Sequence, residues 1–164
     1  MKQTAGLVWV FVFAYGALLQ AQTASNQPNP TASENYSGMY TFLKEGEFVQ
    51  ITIEDAGRVT GFVSRYGDSE SDRGAFLDQF FKRGQLDGNK LSFTTETVHA
   101  VWYEFNGVFT RGSGKTPADE AYHVVQGTLT EFREDDDKKV STQSRAVTFK
   151  SFPQNLDTPA HPKD

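Results

Sequence analysis

The chain has 164 residues, of which 37% are hydrophobic and 23% charged, and a formal net charge of −5. That is enough for one domain with a core and too little for two large ones, and the acidic balance argues against nucleic acid or an anionic membrane surface as partner. Cysteine is absent, which excludes disulfides, thiol nucleophiles, cysteine zinc sites, iron–sulfur clusters and lipid modification of an N-terminal cysteine.

Lys2 is the only charge in the first 33 residues, and Ala5 to Leu19 (AGLVWVFVFAYGALL) is apolar or small throughout. The stretch is shorter than the roughly 20 residues that span a bilayer and suits the hydrophobic region of an export signal. Ala21 and Ala24 are the small residues that could precede a cleavage. Residues 1–21 are therefore expected to be a cleaved signal peptide, the protein to be secreted or periplasmic, and no stable membrane insertion to remain afterwards. Residues 22–35, polar with Pro28 and Pro30, are expected to form a flexible lead-in, and residues 153–164, with three prolines, a disordered tail.

Between these tails, residues 36–152 are expected to form one all-β domain. Segments rich in Val, Ile, Thr, Phe and Tyr fall at 37–44, 47–55, 58–66, 79–87, 90–97, 99–110, 121–133 and 143–152. No proline occurs from Thr31 to Thr116, as a fully hydrogen-bonded sheet requires, and Pro117 lies in a glycine-rich loop. Glu45-Gly46, Ala56-Gly57 and Asp87-Gly88-Asn89 separate neighbouring segments with residues that accept the positive φ of tight hairpins. Val49, Ile51 and Ile53 alternate with Gln50, Thr52 and Glu54; Leu91 and Phe93 alternate with Ser92 and Thr94; Val147 and Phe149 alternate with Thr148 and Lys150. Each strand thus has a dry and a wet face. The sixth is apolar on both, with Val101, Tyr103, Phe105 and Phe109 on one side and Trp102 and Val108 on the other. The expected architecture is an eight-stranded antiparallel up-and-down meander closed into a barrel, which removes its edges. A two-sheet sandwich is the alternative.

The first strand begins Gly38-Met39-Tyr40, and after a second hairpin at 47–66 come a long polar loop at 67–78 and a Gly-Gln-Leu-Asp-Gly strand end. This layout resembles the calycin-type barrels, avidin-like and lipocalin-like, over about residues 36–152 in topology rather than motif. Those barrels begin Gly-x-Trp, with the aromatic ring on the barrel floor; here Tyr40 stands in its place. In avidin-like barrels the loop at this position folds over the ligand, so the resemblance implies an interior pocket with a lid. The tryptophans that grip biotin in that family have no counterpart here beyond Trp102, so biotin is not implied.

The motifs that suggest chemistry mostly fail on spacing. Gly112-Ser113-Gly114-Lys115-Thr116 imitates a phosphate loop, but Phe109 stands where its first glycine belongs and Pro117 follows. Asp68-Ser69-Glu70-Ser71-Asp72-Arg73-Gly74 alternates acids as calcium loops do, yet Arg73 and Gln79 occupy the positions of the required Gly and Glu; it reads as an acidic solvated loop. His99, His123 and His161 lack the spacing of a zinc site. Glu134 to Lys139 reads as a charged hairpin tip, and Asn35-Tyr36-Ser37 fits the glycosylation pattern, which matters only in a eukaryotic source. No metal, cofactor or catalytic residue is expected.

The leading expectation is a non-enzymatic barrel that binds a small, partly apolar or aromatic ligand inside. Tyr40, Ile51, Phe93, Tyr103 and Phe105 would form the wall, His99 would give polar recognition, and the loop 67–78 with Phe76 and Leu77 would form the lid. The alternative is a packed barrel that works as a protein-interaction module (an inhibitor, adhesion or envelope subunit) or a homo-oligomer. Its contact face would surround Trp102 and Glu104. A third reading, a barrel enzyme, needs Glu104 or His99 to titrate inside a cavity.

Overall fold

The computed structural model describes residues 35–68, 70 and 72–154. The expected signal peptide, all but the last residue of the lead-in, and the tail beyond Gln154 lie outside the described residues. The eight strands are β1 (Gly38–Thr41), β2 (Phe48–Ile53), β3 (Val59–Tyr66), β4 (Phe76–Asp87), β5 (Lys90–Thr95), β6 (Val101–Arg111), β7 (His123–Glu134) and β8 (Val140–Lys150). They form one sheet in chain order, each pair antiparallel, so every connection is a hairpin and no crossover is needed.

The sheet curls into a barrel until β8 returns to β1. The seam is thin. Tyr40 and Ser151 form one antiparallel bridge, the Phe152 N–H donates to the Met39 carbonyl at 2.8 Å, and the Lys150 N–H donates to Thr41 Oγ1 at 2.9 Å. The sandwich alternative does not occur.

Several boundaries differ from the sequence reading by one to three residues, and three of them have a local reason. β1 stops at Thr41 because the buried Glu47 carboxylate organises the next turn, accepting the N–H groups of Lys44 at 3.0 Å and Tyr66 at 3.1 Å. β4 starts at Phe76, not 79, because Phe76 and Leu77 pair with Tyr66 and Arg65. β6 starts at Val101, not 99. His99 and Ala100 have φ of 50° and 63°, and the Val98 and Val101 backbones hydrogen-bond reciprocally around them. That is the two-residue turn of a tight hairpin, here built without glycine.

Pairing fixes which side chains face in. Val49, Ile51, Val59, Val63, Leu91, Phe93, Val101, Tyr103, Phe105, Phe109, Val125, Leu129 and Phe149 are buried in one core. A train of rings crosses it: Phe81 on Phe93 (centroids 4.3 Å apart), Phe93 on Phe105 (5.2 Å), Phe105 on Phe149 (5.2 Å), Phe149 on Phe42 (5.4 Å) and Phe42 on Tyr103 (5.4 Å). Room for the central ring comes from Gly107, opposite Gly127 in the β6–β7 ladder. A Cβ on Gly107 would sit 2.4 Å from Phe105 Cζ. A register shift between Phe81 and Arg83 sets Lys82 and Arg83 both outward as exposed residues while Phe81 joins the train.

Removing a ring from the middle of the train leaves a cavity that a stiff sheet cannot collapse into. Phe105→Ala should lower the unfolding free energy in urea by about 3–5 kcal/mol. Phe80→Ser, at a ring 60% exposed on the outer face, should change it by no more than about 0.5–1 kcal/mol. Equal losses would show that the train is not what holds the barrel.

Candidate functional site

The hairpin connections β1–β2, β3–β4, β5–β6 and β7–β8 gather at one end of the barrel, as an up-and-down meander requires. At that end the inward parity of three strands changes from apolar to charged. On β3, Val59, Gly61 and Val63 lead to Arg65; on β7, Val125, Gly127 and Leu129 lead to Glu131 and Arg133; on β8, Phe149 and Val147 lead to Arg145. These residues line a cleft of about 610 Å³, closed on its other side by the β1–β2 segment Phe42–Lys44 and floored by Tyr103.

Arg65 is the deepest charge, only 3% exposed. Its Nε donates to Gln79 Oε1 at 2.7 Å, and its Nη1 donates to the Tyr66 carbonyl at 3.0 Å and to Asp68 Oδ2 at 3.3 Å. Its Cζ lies 5.9 Å from the centre of the Tyr103 ring. Gln79 is fully buried and donates in turn to the Val101 carbonyl at 2.7 Å. Asp68 Oδ2 also accepts Arg133 Nη2 at 2.9 Å, and Lys44 Nζ lies 3.6 Å from Asp68 Oδ1. Arg133 Nη2 reaches Glu131 Oε1 at 3.1 Å, and Glu131 Oε2 accepts Arg145 Nη2 at 2.9 Å. Charges of alternating sign therefore run from β3 to β8: Arg65, Asp68, Arg133, Glu131, Arg145.

The titration behaviour follows from this arrangement. Burial pushes the Asp68 carboxyl up, but the Arg133 hydrogen bond and the charges of Arg65, Lys44 and Arg133 outweigh it and hold the group below the ordinary range. Burial raises Tyr103 to about 12; Arg65 opposes the rise, and Glu131, Asp68 and Glu47 add to it. Arg133 is raised by its bond to Asp68.

The β3–β4 loop forms the rim. The Gly67 N–H donates to the Ala75 carbonyl at 3.0 Å and the Ala75 N–H to the Asp72 carbonyl at 2.9 Å, and His99 Nδ1 lies 2.5 Å from Asp72 Oδ2. Far from a freely solvated acidic stretch, this loop spends Asp68 on three cations and Asp72 on a histidine. Among the described residues no group of three or more His, Asp or Glu side chains is placed to hold a metal ion.

Of the residues expected to bind ligand, Tyr103 lines the cleft. Phe93 and Phe105 belong to the ring train beneath it. Tyr40 is buried towards the opposite end, where its hydroxyl donates to the Tyr36 carbonyl at 2.7 Å and its ring packs on Phe109. His99 is not in the wall: its turn carries it to the rim with the side chain 54% exposed. Phe76 and Leu77, expected in the lid, belong to β4, and the Phe76 ring is tilted against Tyr66 with centroids 4.5 Å apart. The β3–β4 loop itself runs between Tyr66 and Phe76. Trp102 faces outward, half-buried and parallel to Phe132 at 5.1 Å. Glu104 is exposed on the same face, beside Lys82 and Arg83 in an outer-wall depression of about 640 Å³. The glycine-rich segment at 112–116 folds around Asp119, whose carboxylate accepts the N–H groups of Lys115 at 2.9 Å and Thr116 at 2.8 Å. An acid thus holds the position a phosphate would need.

The sequence alone did not single out Arg65, Glu131, Arg133 or Arg145, and it brought up Asp68 and Gln79 only in rejecting a calcium loop. The signal was present as inward parity turning charged at the same end of three strands.

The chain matches no protein-family profile and no curated protein sequence. Its fold is that of the avidin-like, calycin-type eight-stranded barrels. It superposes on the crystal structure of a rhizavidin–biotin complex with a TM-score of 0.54 at 11% identity, covering 73% of this chain and 95% of that one. It superposes on intact apo afifavidin with a TM-score of 0.54 at 14% identity, covering 78% and 88%. At these identities the likeness is one of fold.

Asp68 ties the rim to the barrel, so its charge should be visible in stability. Because the folded carboxyl is held low, the folded state binds fewer protons than the unfolded chain. The contribution is present above the ordinary carboxylate value and fades as pH falls through the lowered one. Unfolding in urea should show wild type more stable than Asp68→Asn by about 0.5–1 kcal/mol at neutral pH, a small figure because Asp68 is 38% exposed and screened. The two should converge in strong acid. A gap that persists there would assign the difference to another group.

Proposed function

We propose that this is an exported, non-enzymatic barrel that binds a small, partly apolar molecule in the cleft at its β3–β4 end. The observation that carries the reading is the pairing of buried Arg65 with Tyr103 at the floor of that cleft. Both are in the barrel interior, where polar groups are costly unless they serve packing or recognition. Phe42, Tyr103 and Val147 supply apolar surface beside the charges. Two of the structures with this fold, rhizavidin and a short form of afifavidin, were solved as biotin complexes, which supports the expectation of a small ligand at such a barrel without naming it. Export is supported by the hydrophobic segment Ala5–Leu19.

Native mass spectrometry of protein purified without refolding from a secreting host tests both parts. A chain beginning near Gln22 and carrying a small-molecule mass is expected. Tyr103→Phe should keep the fold and lose most of that occupancy, whereas Trp102→Ser should leave it unchanged. The stacked Trp102–Phe132 pair on the outer wall favours one competing reading, a protein-contact module. A bare chain whose oligomer dissociates on Trp102→Ser would establish that reading and overturn ours.

A further inference from the structure

We infer that the cleft ligand presents a carboxylate to its inner wall, where the acid is taken by Arg65 Nη2 and the Tyr103 hydroxyl, with Arg145 on the outer side. The inference rests on the reading of the cleft as a ligand site and adds the chemical class of what enters it.

Two donors at the cleft floor have no acceptor among the described residues. Arg65 spends Nε on Gln79 and Nη1 on Tyr66 and Asp68, which fixes the plane of the guanidinium. Its Nη2 makes no hydrogen bond to any described residue. Tyr103 is 2% exposed; its backbone N–H donates to Thr95 Oγ1, and its hydroxyl makes no hydrogen bond to any described residue. A guanidinium cannot shed its proton in a protein. Tyr103 also stays protonated, because burial raises it to about 12. Both groups are therefore donors at every physiological pH, and both line the cleft. Each such donor faces the cleft and is open to an acceptor that enters there. A carboxylate oxygen satisfies it with a charge-assisted bond, which a neutral acceptor does less well.

Arg145 adds a second, independent shortfall. Its Nη2 goes to Glu131, while its Nε is buried with no acceptor. Charge balance points the same way. The cleft holds Lys44, Arg65, Arg133 and Arg145 against Glu47, Asp68 and Glu131. One positive charge is left over, inside a chain whose overall charge is −5. Of the three acids, Glu47 directs its oxygens to two backbone N–H groups and not to a guanidinium. One monoanion completes the set.

The test is titration of ¹⁵N-labelled protein, followed by NMR, with a series of monocarboxylates (acetate, hexanoate, decanoate, benzoate) and their matched primary amides. At least one acid should saturate shifts at Arg65, Tyr103 and Arg145 and bind about tenfold or more tightly than its amide. Arg65→Lys, which keeps the charge and loses the fork, and Tyr103→Phe should each weaken the acid about tenfold and leave the amide unaffected. Arg145→Gln, at a half-exposed side chain, gives a variant that folds even if changes at Arg65 do not. Equal binding of acid and amide in the cleft would overturn the carboxylate and leave the ligand site standing. Shifts elsewhere or none at all, together with a bare chain in native mass spectrometry, would overturn both. A retained neutral molecule with no response to any acid would overturn the carboxylate alone.

Discussion

The closure of the barrel depends on a line of packed rings rather than on its own hydrogen-bond ladder. Seven of the eight strand boundaries are laddered; the eighth, between β8 and β1, has a single bridge at Tyr40 and Ser151. A backbone bridge contributes about 1 kcal/mol net, while burying an aromatic or large aliphatic side chain contributes roughly 1.5–3 kcal/mol. Phe149 on β8 and Phe42 just after β1 meet across that seam at 5.4 Å. Phe149 is anchored through Phe105, Phe93 and Phe81 to β6, β5 and β4. The side chains therefore close what the backbone leaves open, and the closure is as strong as the packing of those rings.

The same rings decide where a ligand can go. They fill the middle of the barrel and separate its openings: Phe93 and Phe105 line the depression beside Phe81, and Tyr40 lines a smaller pocket at the opposite end. The charged cleft is the space above Phe42 and Tyr103, at the end where the rim loops meet. There the walls are unequal: β6, β7 and β8 span eleven or twelve residues each, β1 only four. The cleft lies where the tall wall of β7 and β8 faces the short β1 and its loop. Its chemistry comes from whatever the tall strands point inward past the end of the core, namely Glu131, Arg133 and Arg145.

The fold was legible in the sequence because period-2 alternation and glycine-marked turns are local signals. Val49-Ile51-Ile53 and Leu91-Phe93 face in as their alternation requires, and the meander order follows from hairpins alone. The site was less legible for a definite reason. Parity tells which face a residue shares, but not how far along the barrel the core ends. Arg65 has the parity of Val63, and Arg145 that of Val147; only the register between strands puts both at the same mouth. His99 failed on the opposite account. It has the parity of Val101 and Tyr103, but the tight turn at His99–Ala100 breaks the strand before parity can apply.

Most of the mouth's charges are half-exposed, and ion pairs of that kind contribute little to stability. Arg133 is 45% exposed and Arg145 37%; their pairs with Glu131 and Asp68 orient side chains more than they hold the fold. Arg65 differs in kind, because a buried guanidinium is tolerated only where its hydrogen bonds are met. Gln79 is what permits it. Its amide oxygen can only accept and its amide nitrogen only donate, so bonds to Arg65 Nε and the Val101 carbonyl fix which way the amide points. With that edge of the guanidinium bound to Gln79 and Nη1 turned to Tyr66 and Asp68, Nη2 is left on the side of the cleft. The donor is oriented before any ligand arrives, so little side-chain entropy remains to be lost on binding. A glutamate at position 79 would neutralise Arg65 outright and close the site electrostatically; the neutral amide holds the cation in place and keeps its charge for another anion.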